Sequence, residues 1–366
     1  MQRRLQMVVN QTMALIKSEF GVISETGNIL ASSISEKTAC MSPLFQVIKD
    51  CNHDYLYLEG CLYNKIYHKG KIDLVTYMVT EDTEGSRNIL GLFSISAINM
   101  KRVYDEKYDK LNFFKNVLLD NVLPGDIPIR ARELNIQNNI SRSIYLVKAE
   151  KNPEHSLYDL VCPLFQERNQ DFVVSIDEEN CVVIKEVEKT GSLDVVNKEI
   201  TECTHFILNG IKKQTEMKVS VGIGFPSKRI NEIGSAYKEA QMALLVGGIF
   251  YDDKTIFNYT SLGIGRLIYQ LPKTVCKLFL EEIFRDKMSS ILDQEMSMTF
   301  QKLSECSFNL SETARALFLH RNTLIYRIEK VREATNLDLR NFEDAVVFKV
   351  AMLVKKYLDT AENSVY

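Results

Sequence analysis

No two of the eight cysteines form a CxxC pair; Cys40, Cys51, Cys61, Cys162, Cys181, Cys203, Cys276 and Cys306 are scattered along the 366 residues. That removes the paired-thiol spacing of zinc ribbons and thioredoxin-like redox sites. Cys51, His53, Cys61 and His68 are near one another in sequence, but their spacing matches no standard zinc pattern. No metal and no cofactor are expected. The expected state is a cytoplasmic protein with reduced, mostly buried thiols. No run of about 18 apolar residues occurs, so no membrane-spanning helix is expected. Arg3 and Arg4 make a basic start, yet Asn10, Gln11 and Thr12 interrupt the apolar stretch that a signal peptide needs. There is no excess of positive charge either: 45 Lys and Arg stand against 48 Asp and Glu, a net charge of −3. Such a balance argues against a protein that coats nucleic acid indiscriminately, and leaves room for a local reader. The glycine pairs Gly222/Gly224 and Gly263/Gly265 lack a third glycine at dinucleotide-binding spacing. Strand-end and helix-start positions explain them.

What is present is ordinary globular material: 45% apolar and 25% charged residues. The length suggests about two or three domains. The most organised stretch lies near the end, at 307–332. It reads as two short helices around a tight turn. Asn309 or Ser311 can cap the first helix, whose apolar face is Ala314, Leu317 and Phe318. Leu319, His320 and Arg321 leave room for only a short turn. The second helix runs from about 322 to about 334, with Leu324, Ile328 and Val331 on one side. Its other side carries Arg321, Asn322, Thr323, Tyr326, Arg327 and Lys330.

That polar side is suited to DNA. Arg can bond guanine edges in bidentate fashion, Asn can do so with adenine, and Thr or Tyr can bond phosphates. A helix-turn-helix pushes the front of its second helix into the major groove. Between Ser311 and Arg332, Arg315, Arg321, Arg327, Lys330 and Arg332 outnumber Glu312 and Glu329. A solvated face on an ordinary helical hairpin is the bland alternative. His320 sits in the turn, where a structural hydrogen bond competes with a base contact.

The stretch 319–327, Leu-His-Arg-Asn-Thr-Leu-Ile-Tyr-Arg, followed by 335–344, Thr-Asn-Leu-Asp-Leu-Arg-Asn-Phe-Glu-Asp, closely resembles the C-terminal helix-turn-helix of the PucR/CdaR group of bacterial transcription regulators. The resemblance covers roughly 300–358. It implies a recognition helix with Arg321, Asn322, Thr323, Tyr326 and Arg327 toward base edges or backbone. Ser311 and Lys330 are expected on phosphates.

In the N-terminal region, 7–17 reads as a helix. Two short strands follow, around a turn in which Gly27 and Asn28 take the unusual backbone angles. Strand-like runs follow at 54–58, 61–68, 73–80 and 89–95. A helix, a hairpin and then antiparallel strands look like a PAS-like sensor able to fold around a small ligand. The resemblance adds an N-terminal effector domain, for sugar diacids or related hydroxy-acids. The run 101–120 is an amphipathic helix through Tyr104, Tyr108, Leu111, Phe114, Val117 and Leu118, stopped by Pro124 and Gly125. It can pair with its copy in a second subunit or cover its own sheet.

From about 130 to 257 strands and helices alternate in the order β-α-β-β-α-β, a ferredoxin-like core. It is similar to the degenerate GGDEF-like domain of the same regulators. Cyclases of that fold carry a Gly-Gly-Asp/Glu-Glu-Phe loop where this chain has 177–180, Asp-Glu-Glu-Asn. The glycines that let backbone approach a nucleotide are missing, so no cyclase activity is expected. From 261 to 357 the chain reads as helical, with a last helix at 341–356 and a polar, frayed tail from Asp359.

The expectation is an α+β multidomain protein: a PAS-like sensor with exit helix (1–123), a degenerate GGDEF-like central domain (130–257) and an all-α helix-turn-helix domain (261–358). It would be a non-enzymatic, ligand-responsive regulator that binds double-stranded operator DNA as a homodimer. A nucleotide cyclase-like enzyme or a protein-interaction module built on the central domain are the alternatives.

Overall fold

The computed structural model describes residues 1–366 apart from 35–37, 39, 151–154, 166–170, 188–192, 252–253, 286–290 and 364–366. The chain divides into two compact units, Met1–Phe113 and Phe114–Tyr366.

In the first unit, helix α1 (Gln2–Ile16) leads into β1 (Phe20–Ser24) and β2 (Ile29–Ser32). Helix α2 (Phe45–Asp50) and strands β3 (Tyr55–Leu58), β4 (Cys61–His68) and β5 (Lys71–Val79) follow. The five strands form one antiparallel sheet in the order β2-β1-β5-β4-β3. Side chains alternate between faces, as strand geometry requires. Phe20, Val22, Leu62, Leu74 and Met78 turn toward Leu5 and Val9 of α1. Ile23, Tyr63, Val75 and Tyr77 turn the other way, toward Phe45 and Ile48 of α2. In the β1–β2 turn only Gly27 takes a positive φ, +89°; Asn28 does not.

The run 89–95, expected as a strand, is helical. Helix α3 (Glu84–Leu118) is 35 residues long and absorbs both this run and the expected exit helix. Thr83 Oγ1 accepts a hydrogen bond from the Ser86 N–H at 3.1 Å and caps its start. Leu90, Phe93 and Ala97 are buried at helical spacing, while Leu92 and Ile95 face solvent. A short apolar run does not distinguish strand from buried helix; the cap three residues before Ser86 was the available signal.

In the second unit α4 (Ile127–Glu133) precedes β6 (Arg142–Ala149), α5 (Leu157–Val161), β7 (Phe172–Ser175) and β8 (Asn180–Glu186). Then come α6 (Leu193–Lys212), β9 (Val219–Ile223), α7 (Ile233–Phe250) and β10 (Ile256–Asn258). The sheet order is β10-β9-β6-β8-β7. Strands β6 to β9 pair antiparallel, in the β-α-β-β-α-β connection read from the sequence. Strand β10, absent from that reading, adds a parallel edge beside β9. Helices α5 and α6 cover one face through Leu160, Val161, Ile207 and Ile211. Helix α7 packs on β6 and β9. A Cβ on Gly222 or Gly224 would lie 2.2 Å from the Ala240 carbonyl oxygen or 2.0 Å from that of Ala236, so both glycines serve close helix–strand packing.

The rest is helical: α8 (Gly265–Gln270), α9 (Lys273–Phe284), α10 (Gln294–Glu305), α11 (Leu310–Ala316), α12 (Arg321–Thr335) and α13 (Phe342–Asn363). One apolar cluster joins Val246, Phe250 and Phe257 to Phe284, Phe300, Leu324, Ile328 and Phe348. The tail expected to fray at Asp359 instead continues the last helix, with Tyr357 and Leu358 buried beneath it. Cys181, Cys203 and Cys276 are buried, Cys40 is exposed and the other four cysteines are intermediate, so burial is less general than expected. Among the described residues no group of three or more His, Cys, Asp or Glu could hold a metal ion, and no helix is long and apolar enough to cross a membrane.

Candidate nucleic-acid interface

Helices α11 and α12 form the hairpin read from the sequence. Asn309, not Ser311, caps α11: its Oδ1 accepts from the Ser311 and Glu312 N–H groups at 3.1 and 3.2 Å. Helix α11 ends in a left-handed residue, Phe318, at φ +54°. The Phe318 N–H donates to the Arg315 carbonyl at 3.1 Å and the Leu319 N–H to that of Ala314 at 2.9 Å. This is the Schellman closure, with Phe where glycine is usual. Phe318 is 96% exposed. His320 then caps α12, its Nδ1 accepting from the Asn322 N–H at 3.3 Å. The turn histidine is therefore engaged in a structural bond.

Leu324, Ile328 and Val331 are buried and hold α12 down. At roughly 100° per residue, Asn322, Thr323, Tyr326 and Lys330 fall within an arc of about 100° on the other side. All four are exposed, and so are Arg321, on the flank of the first turn, and Ser311, at the start of α11. Arg315 is exposed too; its Nε donates to the Ser311 carbonyl at 3.3 Å.

Arg327 is placed differently. Its side chain is only 17% exposed and is ion-paired with Glu295. Its Nη1 donates to Thr299 Oγ1 at 2.9 Å, and that hydroxyl donates to the Glu295 carbonyl at 2.8 Å. Arg327 thus ties α12 to α10. Sequence reasoning did not find Glu295 and Thr299; they stand about thirty residues upstream, and only their i,i+4 spacing marks them as one helix face. At the far end of α12, Arg332 and Arg340 both pair with Glu329, at 2.6 and 3.2 Å. Arg340 also pairs with Asp338 at 2.7 Å, and that guanidinium lowers the Asp338 carboxyl to about 2.

In the β7–β8 hairpin, Asp177 Oδ1 accepts from the Glu179 N–H at 2.9 Å, the Asn180 N–H at 2.8 Å and the Asn180 Nδ2 at 2.9 Å. The acidic turn binds its own backbone where a cyclase would present its glycine-rich loop.

Comparison with known proteins matches residues 298–354 to the PucR C-terminal helix-turn-helix domain and residues 120–246 to the GGDEF-like domain. The purine catabolism regulatory protein of Bacillus subtilis (strain 168) is 25% identical over 175 residues, 47% of this chain and 33% of that protein. The proline-responsive transcriptional activator PutR of the same organism is 27% identical over 195 residues, 50% of this chain and 46% of that protein. The carbohydrate diacid regulator of Escherichia coli (strain K12) is 52% identical over 40 residues, 11% of this chain and 10% of that protein. The chain therefore matches less than half the length of each of these relatives. The hairpin at 310–335 and the GGDEF-like domain before it, with these regulator relatives, give the chain the helix-turn-helix and the central domain of the PucR/CdaR family.

Proposed function

We propose that this chain is a ligand-responsive, non-enzymatic transcription regulator that binds double-stranded operator DNA through α12. The observation that carries the proposal is the exposed arc of Asn322, Thr323, Tyr326 and Lys330, opposite a buried apolar face that fixes the helix. Asn322 and Thr323 stand at the front of the helix, where side chains reach base edges in this docking mode. Arg321, Ser311 and Lys330 are suited to phosphates on either flank. One such helix reads only a few base pairs, so a homodimer on paired half-sites supplies the remaining affinity. The cytoplasm, where DNA is found, is the corresponding compartment.

Effector sensing is assigned to the first unit, read as a PAS-like sensor on its five-stranded antiparallel sheet flanked by α1, α2 and α3. A cavity of about 570 Å³ there is lined by Glu25, Asp73, Lys101, Tyr104 and Tyr108. Lys101 is already ion-paired with Asp73, so the cavity offers this cation only in competition with an internal carboxylate. The relatives are named for purine, proline and carbohydrate diacid, and this chain's own effector is sought first among sugar diacids and hydroxy-acids.

Fluorescence anisotropy tests the reading, with DNA from upstream of the chain's own and neighbouring genes at two salt concentrations. Expected is tight, salt-sensitive binding that Asn322→Ala weakens by about 1–3 kcal/mol. Binding that is absent, or identical in the variant, sinks it. Incubation with GTP and magnesium should yield no cyclic product; a cyclic dinucleotide would restore the enzyme alternative.

A further inference from the structure

A second cavity, of about 680 Å³, opens in the helical part of the second unit. That volume lies within the range of small-molecule sites, about 300–1,000 Å³. Its floor is apolar: Phe250, Leu262, Phe300, Met352 and Leu353. Its rim is charged, and each acid there is already engaged. Asp293 Oδ1 accepts from the Met296 N–H at 2.7 Å. Glu305 accepts from Lys302 Nζ at 2.6 Å and Gln301 Nε2 at 3.0 Å. Asp359 accepts from Lys355 Nζ at 2.6 Å. Lys349 is exposed and has no ion-pair or hydrogen-bond partner among the described residues. It shares one face of α13 with Met352 and Lys356, at positions i, i+3 and i+7. An apolar floor with the unpaired ammonium of Lys349 on its rim suits a ligand with an apolar body and one anionic end.

The wall of this cavity is α10. Ser297, Met298, Gln301 and Ser304 line it. Glu295 and Thr299, which hold Arg327 of the recognition helix, lie roughly 140° around the same helix. A ligand seated against one side of α10 therefore presses on the element that positions α12 from its other side.

We propose that this cavity binds a small amphipathic carboxylate, of the medium-chain fatty-acid class, and that occupancy is coupled through α10 to the recognition helix. The binding half stands without the DNA reading; the coupling half rests on it. The test uses the full chain with anilinonaphthalene sulfonate as fluorescent probe and decanoate as competitor. Expected is saturable binding, displaced by decanoate and about tenfold less well by decanol, with both anions weakened about tenfold by Lys349→Glu. Ser297→Trp, which fills the space from α10, should abolish binding, and circular dichroism checks that it folds. Lys349→Glu changes an exposed residue and keeps the test valid if the tryptophan variant misfolds. Absence of saturable binding, or binding unchanged in both variants, overturns the site. In the DNA assay, decanoate should change affinity by at least about fivefold in the parent chain and not in Glu295→Ala. Affinity indifferent to bound decanoate overturns the coupling. The fluorescence arm contains no DNA, so failure of the site and failure of DNA binding are read separately.

Discussion

The hairpin turn at 177–180 and the first turns of α12 are both exposed and both rich in polar side chains, but they differ in what those side chains do. In the hairpin, Asp177 accepts from the Glu179 and Asn180 backbone and from the Asn180 amide. Its capacity serves the turn itself. On α12, His320 performs the capping. The side chains of Arg321, Asn322, Thr323 and Tyr326 make no hydrogen bond within the described chain and lie in solvent. A group of polar residues becomes a candidate for recognition when the fold leaves its donors and acceptors unoccupied and holds the backbone beneath them rigid. By that criterion the hairpin turn is structure and the helix start is the candidate site.

Four measurements break or sharpen this contrast. The largest effect is expected beneath the site. Leu324→Ala removes a fully buried side chain and should cost about 3 kcal/mol in urea unfolding. Asn322→Ala, two residues away and exposed, should stay within about 0.5 kcal/mol in the same assay. Equal costs for the two would mean that the outer face is structural as well. In the hairpin, Asp177→Ala leaves two backbone N–H groups without their acceptor and should cost about 1 kcal/mol of stability, with DNA affinity unchanged. A weakened DNA complex from that variant would join the turn to the reader.

Arg327 lies between the two classes. It was read from sequence as a DNA contact, and its guanidinium is held by Glu295 and Thr299. If it acts by bracing α12, Glu295→Ala and Arg327→Ala should weaken DNA binding alike. The double variant should then be no worse than either, a coupling of about 1 kcal/mol in the cycle. If Arg327 touches DNA instead, Glu295→Ala should leave or strengthen affinity while Arg327→Ala weakens it. The smallest effect concerns Asp338. Its carboxyl is lowered from 3.8 to about 2 in the folded chain, first by the Arg340 hydrogen bond. A depressed carboxylate contributes stability that is present above the unfolded value and is lost as pH falls through the folded one. Acid titration of stability should therefore show a loss of about 0.5 kcal/mol between those pH values, as for a largely exposed pair. Asp338→Asn should remove that step.

Much of the candidate interface was legible in the sequence, because its signals are local. The 3- and 4-residue spacing of Leu324, Ile328 and Val331 dictates which side of α12 is buried, whatever it packs against. The same holds for the β-α-β-β-α-β order, where strand and helix periods alternate within a few residues of one another. The helical run at 89–95 was misread because apolar content alone does not separate a strand from a buried helix. Strand β10 was missed because three residues carry no period.

The sequence by itself determined the hairpin, the polar side of its second helix, the turn histidine and the glycine-poor acidic hairpin; each depends on neighbours in the chain. Only the tertiary structure decided that Arg327 turns inward to Glu295 and Thr299 while Asn322, Thr323 and Tyr326 remain outside. It alone brought α10 and α13 together around a cavity lined from 250 to 359. The reason is physical: capping and amphipathicity are set by bonds and faces within a few residues. Which donors stay unoccupied depends on partners that packing supplies from far along the chain.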